Sequence, residues 1–219
     1  MIKWKNVDFS TKGIIVENKP TISKAEKNIE KYEVPYRNGF LSVDNGTYNS
    51  FIVSLSCHAK DTANFDEIKE FLDGYGTLSF DGQREYTAII KNAISFEVVQ
   101  MFKKFPVQFE VNPIAYDITA TTFSGTGTLT ISGASTKMYP KITLVATGDV
   151  SVTINNNTFY LDDADGTYIL DCGNKVITKN GLNASPIMLG DFPYLVNGEN
   201  TISTSGTITI SIEYKKAYL

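Results

Sequence analysis

Phe51, Val53, Leu55 and Cys57 alternate one by one with Ile52, Ser54, Ser56 and His58. The same period of two runs through Phe105, Val107, Phe109 and Val111. Successive strand side chains point to opposite faces, so each run predicts a half-buried strand with one face on a core. Pro106 has no N–H for a ladder, which predicts that its strand begins there or lies at a sheet edge. Between the two runs the period changes. Phe65, Ile68, Phe71 and Leu72 fall on one helical stripe. Asn64 and Glu67 have the spacing of a capping box, and Gly74 is a natural stop. This predicts one helix over Asn64–Gly74.

Further along, the runs become short. Leu129/Ile131, Ile142/Leu144/Ala146, Val150/Val152/Ile154, Phe159/Leu161, Tyr168/Leu170 and Ile208/Ile210/Ile212/Tyr214 each alternate. Gly133, Gly148, the run Asn155-Asn156-Asn157, Gly166, Gly181 and Gly206 lie among them as turn signals. Many short strands parted by such signals predict a β-sandwich. Asn18 through Val34 breaks the pattern, being charged and thinly apolar. It reads either as a long solvated loop or as an arm that orders against a neighbouring subunit.

Composition divides the chain near Asn112-Pro113. Residues 1–113 hold 14 Lys+Arg, 15 Asp+Glu and 6 Thr, whereas residues 114–219 hold 6, 9 and 17. A β-branched, charge-poor second part favours strands. The expectation is a mainly β chain with one short helix, in two domains, 1–113 and 114–219, with a short connector at Pro113. The net charge of -4 leaves no basic excess for phosphates, so nucleic-acid specificity is not expected. No apolar run is long enough to cross a membrane as a helix, and Met1–Asn6 lacks the apolar core of a signal peptide. Synthesis in a reducing cytoplasm follows, with Cys57 and Cys172 as buried free thiols.

Chemistry is thinly represented. His58 is the sole histidine, and its neighbour Cys57 projects to the opposite strand face, a poor dyad. Asp162-Asp163-Ala164-Asp165-Gly166 resembles a calcium loop, but counting from the glycine puts Leu161 and Cys172 at its anchor positions, so it reads as a polar turn between strands. Gly125-Thr126-Gly127-Thr128 lacks the third glycine of a dinucleotide site. No catalytic, cofactor-binding or metal-ligating residue is therefore assigned, and no cofactor is expected. Tyr48, Tyr75, Tyr139, Tyr160 and Tyr194 could each pack a β core or offer a ring to a sugar.

Several stretches in order resemble the distal tail protein (Dit) family of long-tailed siphovirus-type bacteriophages. They are Trp4–Ser10 as an opening strand, the helix around Phe65–Gly74, Tyr75–Phe80, Tyr86–Ile90 and Phe105–Pro113. The most telling is Gly190–Ile202, with Phe192-Pro193-Tyr194-Leu195, then Gly198-Glu199-Asn200, then a final strand over Thr207–Tyr214. The resemblance covers nearly the whole chain. It implies a structural baseplate hub at the virion tail tip and no enzyme. It implies an N-terminal tail-tube-like ring domain, a C-terminal galectin-like β-sandwich and a hexameric ring, possibly stacked. It also implies contact with the major tail protein and with the tail-associated fibre or lysin, and in some relatives with receptor-binding protein. A phage, a prophage or a tail-derived bacteriocin would each fit. The alternatives are a carbohydrate-binding module, a tail-tube subunit, or a glycosidase or esterase with a site near His58.

Overall fold

The computed structural model describes residues 2–60, 64–94, 97–99 and 102–219, with the side chains of 97–99 and 102 outside the description. The chain divides into two compact units, Met1–Ala115 with Leu219, and Tyr116–Tyr218. It is mostly strand, with one α-helix among the described residues.

The first unit runs β1 (Lys3–Trp4), β2 (Val7–Asp8), β3 (Ile14–Val16), β4 (Lys27–Glu33), β5 (Phe40–Tyr48), β6 (Phe51–Ala59), α1 (Phe65–Phe71), β7 (Tyr75–Ser79), β8 (Arg84–Ile90), β9 (Glu97–Val99) and β10 (Phe102–Asp117). The main sheet has the order β2-β1-β7-β8-β10-β6-β3, with β9 beside β10. The alternation predicted for β6 and β10 holds: Val53, Leu55, Cys57, Phe105, Val107, Phe109 and Val111 are buried. Phe109 faces Val53 and Val107 faces Leu55 across the ladder, so one face of the sheet meets a continuous apolar core.

Helix α1 covers that core. Ile68 and Leu72 are buried, and Phe65 and Phe71 pack beside them. The Asn64 side chain accepts from the Asp66 and Glu67 N–H groups and donates to the Glu67 carboxylate, which satisfies donors that the first turn leaves open. Trp4 ties the N-terminus to the helix. Its Nε1 donates to the Phe71 carbonyl at 3.0 Å, and its ring meets Phe109 edge-on at 5.1 Å. The stretch Trp4–Ser10, expected as one strand, is a hairpin of β1 and β2. Lys5 and Asn6 turn it with φ of 50° and 64°, and a short 3₁₀ turn over Phe9–Lys12 follows.

Two expectations fail in β10. Pro106 is neither at a strand start nor at a sheet edge, because β10 lies between β8 and β6. The side chain of Asn92 resolves the conflict. It donates to the Pro106 carbonyl at 3.2 Å and accepts from the Gln108 N–H at 2.8 Å. Beyond the end of β8, a side-chain amide thus stands in for a neighbouring strand, and the missing proline N–H faces no ladder acceptor. The second failure is Pro113. The strand runs through it to Asp117, so no connector loop lies there.

The second unit runs β11 (Thr121–Ser124), β12 (Gly127–Ile131), β13 (Lys141–Ile154), β14 (Asn157–Asp171), β15 (Val176–Lys179), β16 (Leu182–Asn183), β17 (Met188–Gly190), β18 (Gly198–Tyr214) and β19 (Ala217–Tyr218). The order is β11-β18-β13-β14-β15-β16, with β12 also on β18 and β17 also on β14. The short runs expected from the sequence fuse here into three long strands. Gly148, Gly166 and Gly206 lie inside them and not between them. The ladders of β13 with β14 and with β18 slip register just after Gly148 and Thr147. Gly148, Asp163 and Gly206 take φ of 73°, 49° and 90° there. One bulge level across three strands bends them together, and the two halves of one curled sheet close on Leu144, Val152, Phe159, Leu170 and Ile212, all buried.

Candidate functional site

Among the described residues, strands β4 and β5 pair only with each other. They overturn the loop reading of Asn18–Val34 over Lys27–Glu33, which is ladder from Lys27↔Tyr48 to Glu33↔Phe40. Alternation puts Ile29 and Phe40 on one face of this hairpin, and Tyr32, Leu41 and Val43 on the other. All five are exposed, Phe40 by 54% and Tyr32 by 50%, and Tyr36 at the turn is fully exposed. A two-stranded hairpin is marginal in water without a surface to cover it.

Polar pairs hold the hairpin without covering its apolar residues. Lys27 bridges to Asp44, and the Gly46 N–H also donates to that carboxylate at 2.9 Å. The Lys27 ammonium holds the Asp44 carboxyl below its ordinary range, and Asp44 in turn raises Lys27. The Tyr32 hydroxyl and the Asn45 amide both donate to Glu30, the first pulling its carboxyl pKa down most. Lys31 lies 4.9 Å from the centre of the Phe40 ring.

A second surface flanks β3, an edge strand of the main sheet. Glu17 N–H donates to Ser56 and Gly13 accepts from Lys60, and Ile15 stands opposite His58. By alternation, the N–H and C=O groups of Ile14 and Val16 face away from β6, an open edge. Beside it is a groove of about 320 Å³ walled by Ile2, Phe9, Ile14, Ile15 and Val16.

The residues weighed for chemistry are scattered. His58 and Cys57 point to opposite faces of β6; Cys57 is buried, and burial pushes its thiol up to about 12. Cys172 is buried in the second unit, its thiol likewise raised to about 12 by burial. Neither is poised as a nucleophile. His58 Nδ1 lies 3.4 Å from the Glu17 carboxylate, which also meets Lys104 at 3.0 Å. The Lys104 ammonium lowers the Glu17 pKa. Among the described residues, no three His, Cys, Asp or Glu side chains group as metal ligands. Asp162–Gly166 is no turn between strands. It lies within β14 at the bulge, where the Asp163 N–H donates to Asp149 at 2.9 Å.

The C-terminal stretch singled out in the sequence forms a tight knot. Leu195 is buried and pairs with Met138 through two backbone hydrogen bonds. Asn200 is fully buried. Its Oδ1 accepts from the Val196 N–H at 2.8 Å and from Asn155 Nδ2 at 3.2 Å. Its Nδ2 donates to the carbonyls of Val196, Gly198 and Leu129. One side chain thereby locks the Gly190–Ile202 segment to the β13–β14 turn and to β12.

Residues 118–218 match the family described as the siphovirus-type tail component, C-terminal domain. No curated protein matches significantly. Among solved structures, the Dit protein of phage SPP1 superposes with a TM-score of 0.78 at 11% identity, covering 100% of this chain and 98% of that one. That protein is described as a paradigm of the hub adsorption apparatus in phages infecting Gram-positive bacteria. Residues 118–218 thus match that family's C-terminal domain, and the whole chain shares the fold of a solved distal tail protein.

Proposed function

We propose that this protein is the structural hub of a phage tail tip, assembled on the virion after synthesis in the host cytoplasm. Six copies close into a ring through their N-terminal units, and the ring joins the tube of major tail protein to the tail-associated fibre or lysin and to receptor-binding components. The SPP1 likeness supports the hub role through the shared fold. The observation that carries ring closure is the β4–β5 hairpin, whose apolar residues lie open on both faces. A rotationally closed ring needs two different complementary patches on each subunit. The hairpin and the open β3 edge with its groove are two such patches. The protein works by adhesion, making and breaking no covalent bond; its inert buried thiols fit that reading.

Light scattering and negative-stain electron microscopy test this, first on the purified chain and then with major tail protein and fibre protein added. Closed rings of six, alone or on co-assembly, are expected. A lone monomer both by itself and with the two partners added would overturn the reading.

A further inference from the structure

Asp8 carries a buried oxygen that nothing in its own chain serves. Its Oδ1 accepts from the Ser10 N–H at 2.8 Å and from the Ser10 hydroxyl at 2.7 Å, capping the 3₁₀ turn over Phe9–Lys12. Its Oδ2 is buried and accepts no hydrogen bond from any described residue. A buried carboxylate oxygen without a donor is costly, so a donor brought from outside the chain relieves it. Asp8 as a whole is half-buried, and it lines the groove beside β3 together with Ile2, Phe9, Ile14 and Val16, while Lys19 stands exposed at the rim.

The far end of the β4–β5 hairpin holds the matching chemistry. The Arg37 N–H donates to the Val34 carbonyl at 3.1 Å and closes a turn through Pro35 and Tyr36. Tyr36 takes φ of 64° at a position of the turn that glycine or asparagine ordinarily fills. A fully exposed tyrosine is thus kept there against a backbone penalty. The Arg37 guanidinium and the Glu33 carboxylate, both exposed at this end, form no ion pair with any described residue, and neither does Lys19. At about 3.3 Å per residue, the seven residues of β4 carry this end roughly 23 Å from the base of the hairpin.

We infer that the hairpin end of one copy plugs the β3 groove of the next copy. The Tyr36 ring packs among Ile2, Phe9 and Ile14, the Arg37 guanidinium donates to Asp8 Oδ2, and Glu33 meets Lys19 at the rim. The inference rests on the ring proposed above and names what its two patches exchange. Charge selects this occupant. The groove presents an unserved anion inside and a cation at its rim, and the hairpin end presents a cation beside its exposed ring and an anion four residues before it. A guanidinium on a carboxylate is among the stronger hydrogen bonds available. Hairpin end and groove are different surfaces, so the contact is head-to-tail and propagates around a closing ring.

The test uses the full chain in whichever mixture forms closed rings by electron microscopy. Tyr36→Cys and Lys19→Cys are both exposed changes, and the native Cys57 and Cys172 are buried, so a short bismaleimide joins only the new thiols. The double-cysteine chain should give a covalent ladder that ends at the closed ring, and either single variant should give none. Asp8→Asn keeps the Oδ1 cap but sets a donor amide where the second acceptor was, and Arg37→Ala removes the donor. Each should raise the concentration at half-assembly by about tenfold, and the two together should add little beyond either alone, as for two ends of one hydrogen bond. Closed rings that give no ladder, or losses that multiply to about a hundredfold in the pair, overturn the inference and leave the hub reading standing. So do rings unaffected by Asp8→Asn that no longer accept major tail protein, a result that gives the groove to that partner. Absence of rings in every mixture removes the hub reading and the inference together.

Discussion

Asn200 has its full hydrogen-bonding capacity engaged inside the C-terminal unit, with five hydrogen bonds to four residues and no solvent exposure. Removing it leaves carbonyls and an N–H buried without partners, so Asn200→Ala should cost about 2–4 kcal/mol. Asn200→Asp should be at least as damaging at neutral pH, since a carboxylate would face three carbonyls. Calorimetry on the full chain reads this loss. A second prediction concerns Asp44. Its folded pKa is lowered, with the Lys27 hydrogen bond as the largest cause. The pair's contribution is therefore fully present above the ordinary value of 3.8 and is lost as pH falls through the lower folded value. A carboxyl NMR titration should place the Asp44 midpoint below 3.8, and Lys27→Ala should return it toward the ordinary value. An unchanged midpoint in that variant would remove the pairing.

Strands β13, β14 and β18 bend where their backbones leave the extended region, and Gly206 in that bend can be compared with Gly181 in the turn between β15 and β16. At Gly206, φ is +90°, and an added Cβ would lie 2.7 Å from the Asp149 carbonyl and 2.9 Å from Val150 Cγ1. At Gly181, φ is +78°, with nothing within 4 Å of an added Cβ. Gly181→Ala should cost only the left-handed backbone penalty of about 1 kcal/mol, whereas Gly206→Ala should cost more than about 2 kcal/mol. Equal losses in calorimetric melts would contradict the close-packed bend. These glycines also show what periodicity could reach. Where burial on a strand's own core dictates alternation, as in β6 and β10, or helical spacing, as in α1, the sequence reads directly. Gly148, Gly166 and Gly206 look like turns because a bulge and a turn both demand positive φ. Pro106 looks like an edge because nothing in its neighbourhood announces that Asn92 will replace the ladder. The hairpin was hidden for a different reason. Ile29, Tyr32, Leu41 and Val43 serve no core in their own subunit, so their two-sided pattern matches no half-buried strand. Only the arm reading of Asn18–Val34 touched the candidate site. Its partner strand β5 and the groove beside β3 gave no local signal, since the groove is assembled from residues that only the tertiary fold brings together.

At the scale of the whole molecule, the hairpin sets a choice between folding alone and assembling. Its exposed residues contribute nothing to either unit's core, so Tyr32→Ser with Leu41→Ser and Val43→Ser should leave the melting of both units nearly unchanged, as surface changes do. The same triple variant should abolish ring closure, because burial of these side chains between copies supplies about 1.5–3 kcal/mol for each large residue. Salt separates this mechanism from a charge-driven one. Residues 1–113 are nearly balanced, with 14 basic and 15 acidic side chains, so long-range attraction between copies is weak. Sodium chloride at about 1 M shrinks the Debye length to about 3 Å and would dissolve a ring held by surface ion pairs. A ring held by Phe40, Tyr32 and Leu41 should survive it and tighten in ammonium sulfate, which strengthens apolar burial. Sedimentation across the two salts decides between them. Rings that fall apart in sodium chloride while the triple variant still assembles would transfer the interface from the hairpin to the charged surface.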